Sequence, residues 1–291
     1  MPLSSRSFAL LLAMTPGVGG RSVTRIIARN ELLARSSEEF LGLSSEALRE
    51  EYRLGARAVA ELAQIDSHRI DQLLQLESRL QGLGVSLVTS ADIHYPALIE
   101  EMDPDPPGVL FLYGNTRLIE SRTFCVLASR NTMPADLELI EELTEGGVLG
   151  GEVLVSGHDR PEYQRSAVVP LRWGAPRILC LDRGLFKVLG EDLKDEAFRA
   201  ARLWRYQFDP STDLVVSPFR PHSDFIGVNN RVRDRLIACL SCRLDFVNVA
   251  PSGNMEKIMR LAIQAGRPVR ISDRILGYRE YLEAGAQVIR T

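Results

Sequence analysis

The hydrophobic pattern of the chain changes near Gly82, and this change limits the folds that the chain can adopt. Beyond this point, short apolar runs alternate with longer amphipathic stretches. The runs span residues 85–88, 109–112, 124–127, 153–155, 178–181, 214–216, 246–249 and 269–271. Strands that are apolar throughout and separated by helices indicate a parallel sheet covered on both faces.

Helical periodicity fills several of the gaps between these runs, at residues 135–143, 195–204, 231–240 and 255–265. Because crossovers between parallel strands are right-handed, the pattern predicts a doubly wound α/β domain. Its ligands would bind beyond the carboxyl ends of the strands. We place this domain at residues 82–291.

Residues 1–81 show helical periodicity and no strand-like alternation, with further helical stretches near 45–52 and 56–80. A small all-helical domain is therefore expected. The turn Pro16-Gly17-Val18-Gly19 between its first two helices has a helix-hairpin-helix form. Gly17 and Gly19 would permit a tight turn whose backbone N–H groups hold a DNA phosphate. An ordinary turn that binds nothing is the alternative.

Composition is that of a globular protein, with 45% apolar and 25% charged residues. The formal net charge is −3, so a nucleic-acid site would have to be a local basic patch. The N-terminal apolar run at residues 8–14 is too short to span a bilayer, and no other run approaches that length. We therefore expect a cytoplasmic protein that does not associate with a membrane.

Three predicted strands end in small residues and cations. Ser129-Arg130 follows the run at 124–127, and Ser156-Gly157-His158-Asp159-Arg160 follows the run at 153–155. Asp182-Arg183-Gly184 and Lys187 follow the run at 178–181. Arginine offers a bidentate fork to phosphate oxygens, so we predict a phosphate-binding crevice. The predicted ligands are Ser129, Arg130, Ser156, Gly157, Arg160, Gly184 and Lys187.

Arg231, Arg233 and Arg235 alternate at the start of a predicted helix. Cations at a helix N-terminus are unfavourable unless an anion is bound there, so all three are candidate phosphate ligands. Alternatively, Arg231 and Arg235 flank Asp234 in a solvated salt-bridge face. Spacing alone does not separate the two interpretations.

The sequence contains no motif of a known catalytic site, neither GxSxG nor HExxH nor Walker A. Cys239 and Cys242 form one CxxC pair, which cannot complete a zinc site by itself. The pair is either redox-active or simply small and buried. His158 is the only histidine in the sequence that adjoins the predicted crevice. We expect its side chain to lie on a surface loop. We predict no metal, no cofactor and no enzymatic activity.

The order of these segments resembles the DNA-processing A (DprA) family over roughly residues 8–275. The most specific resemblance is Tyr95-Pro96-Ala97-Leu98-Ile99 followed by Asp105-Pro106-Pro107-Gly108-Val109-Leu110-Phe111. The family's Gly-Ser-Arg is similar to Ala128-Ser129-Arg130, and its Ser-Gly-x-Ala-Arg-Gly to the segment 156–161. A Gly-Leu-Asp-Lys segment resembles 184–187, and Arg-Asn-Arg resembles 233–235.

This resemblance implies an extended Rossmann-like domain that binds single-stranded DNA in a basic pocket. It further implies a homodimer that delivers the recombinase RecA to incoming DNA during natural transformation. The chain departs from the family pattern at Ala128, Asp159, Pro161 and Asp234. It also lacks the Phe-Pro that precedes the family's arginines, and Ser217-Pro218-Phe219 stands where the family has a glutamate. The family's frequent C-terminal winged-helix module is expected to be missing.

Two other functions are compatible with the predicted fold. One is a nucleotide hydrolase similar to the LOG-type phosphoribohydrolases, although the glycine pairs 146–147 and 150–151 lack the context of that family's loop. The other is a degenerate Rossmann-like nucleotide sensor that has lost the DNA groove.

Overall fold

A computed structural model describes residues 3–289 of the chain. Two compact units are present: Met1–Tyr95 with Pro104–Phe111, and Pro96–Asp103 with Leu112–Thr291. The first unit extends beyond residue 81, because the strand that follows the helices belongs to it. The predicted boundary between domains at residues 81 and 82 stays a prediction.

The first unit is mainly helical. Its elements are α1 (Ser5–Ala13), α2 (Gly20–Leu32), α3 (Ser37–Leu41), α4 (Ser45–Glu50), α5 (Ala56–Leu62), α6 (Ser67–Gly82) and β1 (Val85–Thr89). The prediction of one helical stretch over residues 56–80 is wrong in one respect, because the structure has two helices there, α5 and α6. Asp66 causes the division because its carboxylate accepts a hydrogen bond from the Arg69 N–H at 2.8 Å, which caps a new helix.

The second unit is α/β. Its elements are α7 (Ala97–Met102), the end of β2 (Val109–Gly114), β3 (Thr123–Ala128), α8 (Pro134–Leu149), β4 (Val153–Ser156), α9 (Pro161–Ala167), α10 (Val169–Trp173), β5 (Arg177–Cys180), α11 (Leu185–Leu189), β6 (Leu214–Ser217), α12 (Asn229–Cys239), β7 (Arg243–Asn248), α13 (Asn254–Gln264), β8 (Val269–Ile271), α14 (Tyr278–Glu283) and β9 (Gln287–Val288).

The strands of this unit lie in the order β6-β5-β4-β3-β7-β8-β9, and each neighbouring pair is parallel. Along the chain, β4, β5 and β6 are therefore added in turn on one side of β3. The strands β7, β8 and β9 are then added in turn on its other side. This confirms the predicted Rossmann-like, mainly parallel fold. The change of direction lies between β3 and β7, where open α/β sheets bind ligands.

Alternate residues of β3 face opposite sides of the sheet. Phe124 and Val126 pack against Ile140 of α8 on one side. On the other side, Cys125 lies near Ser241, which follows α12. The core thus has helices on both faces, as the apolar strands predicted.

The helix expected over residues 195–204 is wrong. Only a short 3-10 helix, Arg199–Leu203, forms there. Glu196 instead turns into the protein, where its carboxylate lies 2.5 Å from the fully buried Arg177 guanidinium. A charge that is buried needs such a partner, and this contact takes priority over local helical periodicity.

Two adjacent glycines in α8 give a direct test of this packing. A Cβ on Gly147 would lie 2.4 Å from the Phe124 ring, whereas a Cβ on Gly146 would meet nothing within 4 Å. Both substitutions to alanine gain the same helix propensity, so their difference isolates the contact. We expect Gly147→Ala to be less stable than Gly146→Ala by about 1–3 kcal/mol in urea unfolding. Equal stabilities would contradict the packing of α8 on β3.

Candidate nucleic-acid interface

A pocket of about 420 Å³ lies where β3, β4 and β7 end. It is therefore at the carboxyl edge of the sheet, beside the reversal of strand order. Its lining residues come from the loops after these strands and from the starts of α12 and α13: Ser129, Arg130, Asn131, Arg160, Gly227, Arg231, Asp234, Ala250, Gly253, Asn254 and Met255.

Ser129 fixes one wall of this pocket. Its backbone N–H donates to the Asn248 carbonyl at 2.7 Å, which continues the pairing of β3 with β7. Its hydroxyl oxygen accepts a hydrogen bond from the Ala250 N–H at 2.8 Å. The residue is buried, so its first role is to hold the loop between β7 and α13 against the end of β3.

Arg130 and Arg231 are the cations that the pocket leaves available. Both guanidinium groups are exposed, and both residues line the pocket. Within residues 3–289, neither takes part in an ion pair or a side-chain hydrogen bond. Two unpaired positive charges at one pocket attract an anionic group.

Arg233 does not reach the pocket, although it lies only two residues from Arg231. Its side chain is fully buried and forms ion pairs with Asp159 and with Asp234, the latter at 2.9 Å. Burial alone would lower the pKa of Arg233. The charges of Tyr163 (when ionised), Asp234 and Asp159 outweigh burial, so the pKa is raised and the guanidinium stays charged.

Asp234 is the acceptor that connects this cluster. Its carboxylate also accepts hydrogen bonds from the Tyr163 hydroxyl at 2.7 Å, Arg160 at 3.2 Å and the Asn254 amide at 3.0 Å. Burial, and next the Asp234 charge, raise the pKa of Tyr163 well above its ordinary value, so its hydroxyl stays protonated. We call Asp159, Arg160, Tyr163, Arg233 and Asp234 the buried ionic cluster.

Arg160 belongs to both the pocket and the cluster. It lines the pocket, but its guanidinium is paired with Asp234 and stacks over the Tyr163 ring, 5.4 Å from the centroid. Its charge is therefore largely compensated. Of the predicted phosphate ligands, the structure brings together Ser129, Arg130, Arg160 and Arg231.

Ser156 and Gly157 do not line the pocket. The Ser156 hydroxyl is buried and shares a 2.9 Å hydrogen bond with Ser166 of α9. A Cβ on Gly157 would lie 2.8 Å from the Tyr163 ring. Both residues therefore serve the packing of α9 on β4. A small residue at a strand end can serve such packing as well as phosphate binding.

Gly184 and Lys187 hold the loop between β6 and α12. A Cβ on Gly184 would lie 2.2 Å from two carbonyl oxygens of this loop, those of Arg220 and Pro221. The Lys187 ammonium lies 3.0 Å from the carboxylate of Asp224, in the same loop. The expectation that Lys187 and Arg130 open into one pocket is wrong.

Arg235 also points away from the pocket. It lies one helical turn beyond Arg231, and its guanidinium pairs with buried Asp103 at 3.1 Å. The predicted solvated face of Arg231, Asp234 and Arg235 is equally wrong, because Asp234 is buried.

His158 is buried rather than exposed, which corrects the expected surface position. Its imidazole Nε2 lies 3.4 Å from the Asp182 carboxylate. Burial raises the pKa of Asp182, but the neighbouring His158 imidazole and the hydrogen bonds from Arg183 outweigh it and hold that pKa well below the ordinary range.

Packing and backbone conformation explain the first glycine of the first turn. Gly17 has a φ of +85°, and a Cβ there would lie 2.9 Å from the Ala58 N atom. Gly19 precedes α2, and the Asp105 carboxylate lies 3.6 Å from where its Cβ would be. A carboxylate of the same unit thus lies beside the start of this helix. Phosphate binding by Gly17 and Gly19 stays a prediction.

Cys239 is buried, and burial raises the pKa of its thiol to about 12. The thiol is therefore protonated at neutral pH, which favours the small buried residue over a redox-active one. The glycine pairs weighed for a hydrolase loop lie within α8 and at its end, at Gly146–Gly147 and Gly150–Gly151. Neither pair lines the pocket.

Sequence reasoning missed the contribution of β7. Ala250, Gly253, Asn254 and Met255 line the pocket and follow a predicted strand. The turn-forming residues Pro251-Ser252-Gly253 between a strand and a helix were the available signal. This segment contains no cation, unlike the strand ends that we predicted to bind phosphate.

Fold and pocket together define a Rossmann-like protein with a pocket at its topological switch point. Residues 86–160 match the family model of DNA recombination-mediator protein A. This segment includes Ser129, Arg130 and Arg160. The matched family is that of the DNA-processing A proteins, and this chain is similar to it over that segment.

Solved structures agree in fold. DNA processing protein A from Streptococcus pneumoniae is 18% identical, with a TM-score of 0.73, and the match covers 99% of this chain and 95% of that one. The protein from Helicobacter pylori, described for its single-stranded DNA binding mode, is 19% identical with a TM-score of 0.55, covering 71% of this chain and 91% of that one. No curated protein sequence matches significantly. Over residues 3–289, no helix is long and apolar enough to cross a membrane.

The buried ionic cluster predicts an unusual cost for losing one carboxylate. Asp234→Ala would leave Arg233 and Arg160 with Asp159 alone, so we expect a loss of about 3–5 kcal/mol in the free energy of unfolding. Asp224→Ala is the matched control, since its carboxylate is 80% exposed and, within residues 3–289, pairs only with Lys187. There the loss should be at most about 1 kcal/mol. Similar small losses for both variants in chemical denaturation would contradict the cluster.

Proposed function

We propose that this protein binds single-stranded DNA by its phosphates at the pocket that Arg130 and Arg231 line. The observation that carries the proposal is that both arginines are exposed, unpaired among the described residues, and at the same pocket. Each guanidinium offers two parallel N–H donors to a phosphate. The match of residues 86–160 to DNA recombination-mediator protein A supports DNA as the source of those phosphates.

Binding in this proposal depends little on base sequence. Arginine contacts to phosphate fix the position of a strand and do not read its bases. The pocket does hold amide side chains, which can recognise adenine, but the Asn254 amide already donates to Asp234. The buried ionic cluster shapes the pocket without adding cations that are free to bind DNA.

The role after DNA binding rests on the family match alone. We propose that the protein acts as a homodimer in the cytoplasm and delivers RecA to incoming single strands during natural transformation and recombination. It carries out no chemical reaction in this scheme and needs no cofactor. Stimulation of RecA strand exchange on DNA coated with a single-strand-binding protein tests this step, and no stimulation would contradict it.

Arg130→Ala should weaken the binding of a single-stranded oligonucleotide and flatten its salt dependence. Each lost phosphate contact lowers the slope of log K against log salt by about 0.7 for a single strand. Arg231→Ala should have the same effect. Fluorescence anisotropy over a salt series measures both slopes.

Lys187→Ala is the matched control, because this cation is already paired with Asp224 and does not line the pocket. Its slope should equal that of the wild type. If Lys187→Ala flattens the slope and Arg130→Ala does not, the DNA site lies elsewhere. If the wild type binds a nucleoside monophosphate but no strand, the nucleotide sensor replaces this proposal.

A further inference from the structure

The loop between β6 and α12, residues 218–228, exposes apolar side chains beside the pocket. Phe225 is 39% exposed, Ile226 is 60% exposed and Val228 is 55% exposed. Apolar side chains in water are unfavourable when grouped, and such groups mark contact sites.

This loop is held in place by backbone hydrogen bonds to the segment after β5. The Gly184 N–H donates to the Ser223 carbonyl at 2.9 Å, and the Phe186 N–H donates to the Pro221 carbonyl at 3.0 Å. The side chain of Asn229 donates to the Asp182 carbonyl at 2.8 Å. The exposed side chains are thus presented by an anchored loop, which reduces the entropy lost when they bind.

The exposed residues lie at the rim of the pocket. Gly227, between Ile226 and Val228, is itself a lining residue. Since consecutive Cα atoms are about 3.8 Å apart, the Phe225 Cα lies within roughly 7.6 Å of the Gly227 Cα. The Arg231 N–H donates to the Val228 carbonyl at 3.0 Å, which connects the rim to one of the unpaired cations.

Phe225 is already stacked on one side. The Arg183 guanidinium lies over its ring, 5.2 Å from the centroid. Asp182 orients that guanidinium through hydrogen bonds of 2.8 and 3.2 Å. A ring supported in this way and still 39% exposed can accept a second planar group.

We propose that Phe225 and Ile226 form a stacking platform for the bases of the strand whose phosphates contact Arg130 and Arg231. The inference rests on the proposed function. It adds a site for unpaired nucleobases, which no phosphate contact provides. Base stacking on aromatic side chains tolerates any sequence because every base has a π-face. Cations beside the apolar rim favour a nucleic-acid strand over a neutral apolar partner.

The test compares two oligonucleotides of equal length, one of thymidylates and one of abasic sites. Phe225→Ala should weaken binding of the thymidylate strand by about fivefold or more, in line with stacking losses seen elsewhere. It should leave binding of the abasic strand unchanged, since the phosphate contacts remain. Phe225→Tyr should restore thymidylate binding.

Two controls separate this inference from the proposed function. Arg130→Ala should weaken both strands equally, and Leu276→Ala, an exposed apolar residue elsewhere, should weaken neither. No binding of either strand by the wild type would overturn the proposed function and the platform together. If Arg130→Ala weakens the binding of both strands as expected, but Phe225→Ala does not weaken thymidylate binding selectively, the platform alone is overturned. A lower oligomeric state of Phe225→Ala in sedimentation would make the loop a contact between copies and also overturn the platform.

Discussion

A single buried guanidinium determines the character of the site. Arg233 is fully buried, and its charge is tolerated there because Asp159 and Asp234 both pair with it. Asp234 in turn accepts hydrogen bonds from Tyr163 of α9 and Asn254 of α13. The cluster therefore joins α9, α12 and α13 at the end of the sheet where the pocket lies.

The two acidic departures from the family pattern, Asp159 and Asp234, belong together because both pair with Arg233. Asp159 and Asp234 stand at positions where the family resemblance led us to expect uncharged residues, yet they do not repel an anion as isolated carboxylates would. Their charges are compensated by Arg233 and Arg160. The cost is that these cations cannot also bind a phosphate at full strength. Binding then depends on Arg130 and Arg231.

The fold could be predicted from the sequence more completely than the site. Apolar strands and helices alternate because both faces of a parallel sheet must be covered. This alternation is visible in the hydrophobic pattern of neighbouring residues. The site depends on side-chain direction. On a helix, residues two apart point to different sides, so Arg231 and Arg233 could not share a pocket. Local pattern could not reveal that Lys187 would meet Asp224 or that Glu196 would meet Arg177, because these partners are distant in sequence.

The salt dependence of single-stranded DNA binding by the wild-type protein tests the central claim most directly. Two available arginines predict a slope of log K against log salt of about −1.4. If all six cations among the predicted phosphate ligands contacted phosphates, the slope would be about −4.2. The shallow slope is the result that we expect. The steep one would show that the four paired cations leave their carboxylates to bind DNA: Arg160, Lys187, Arg233 and Arg235.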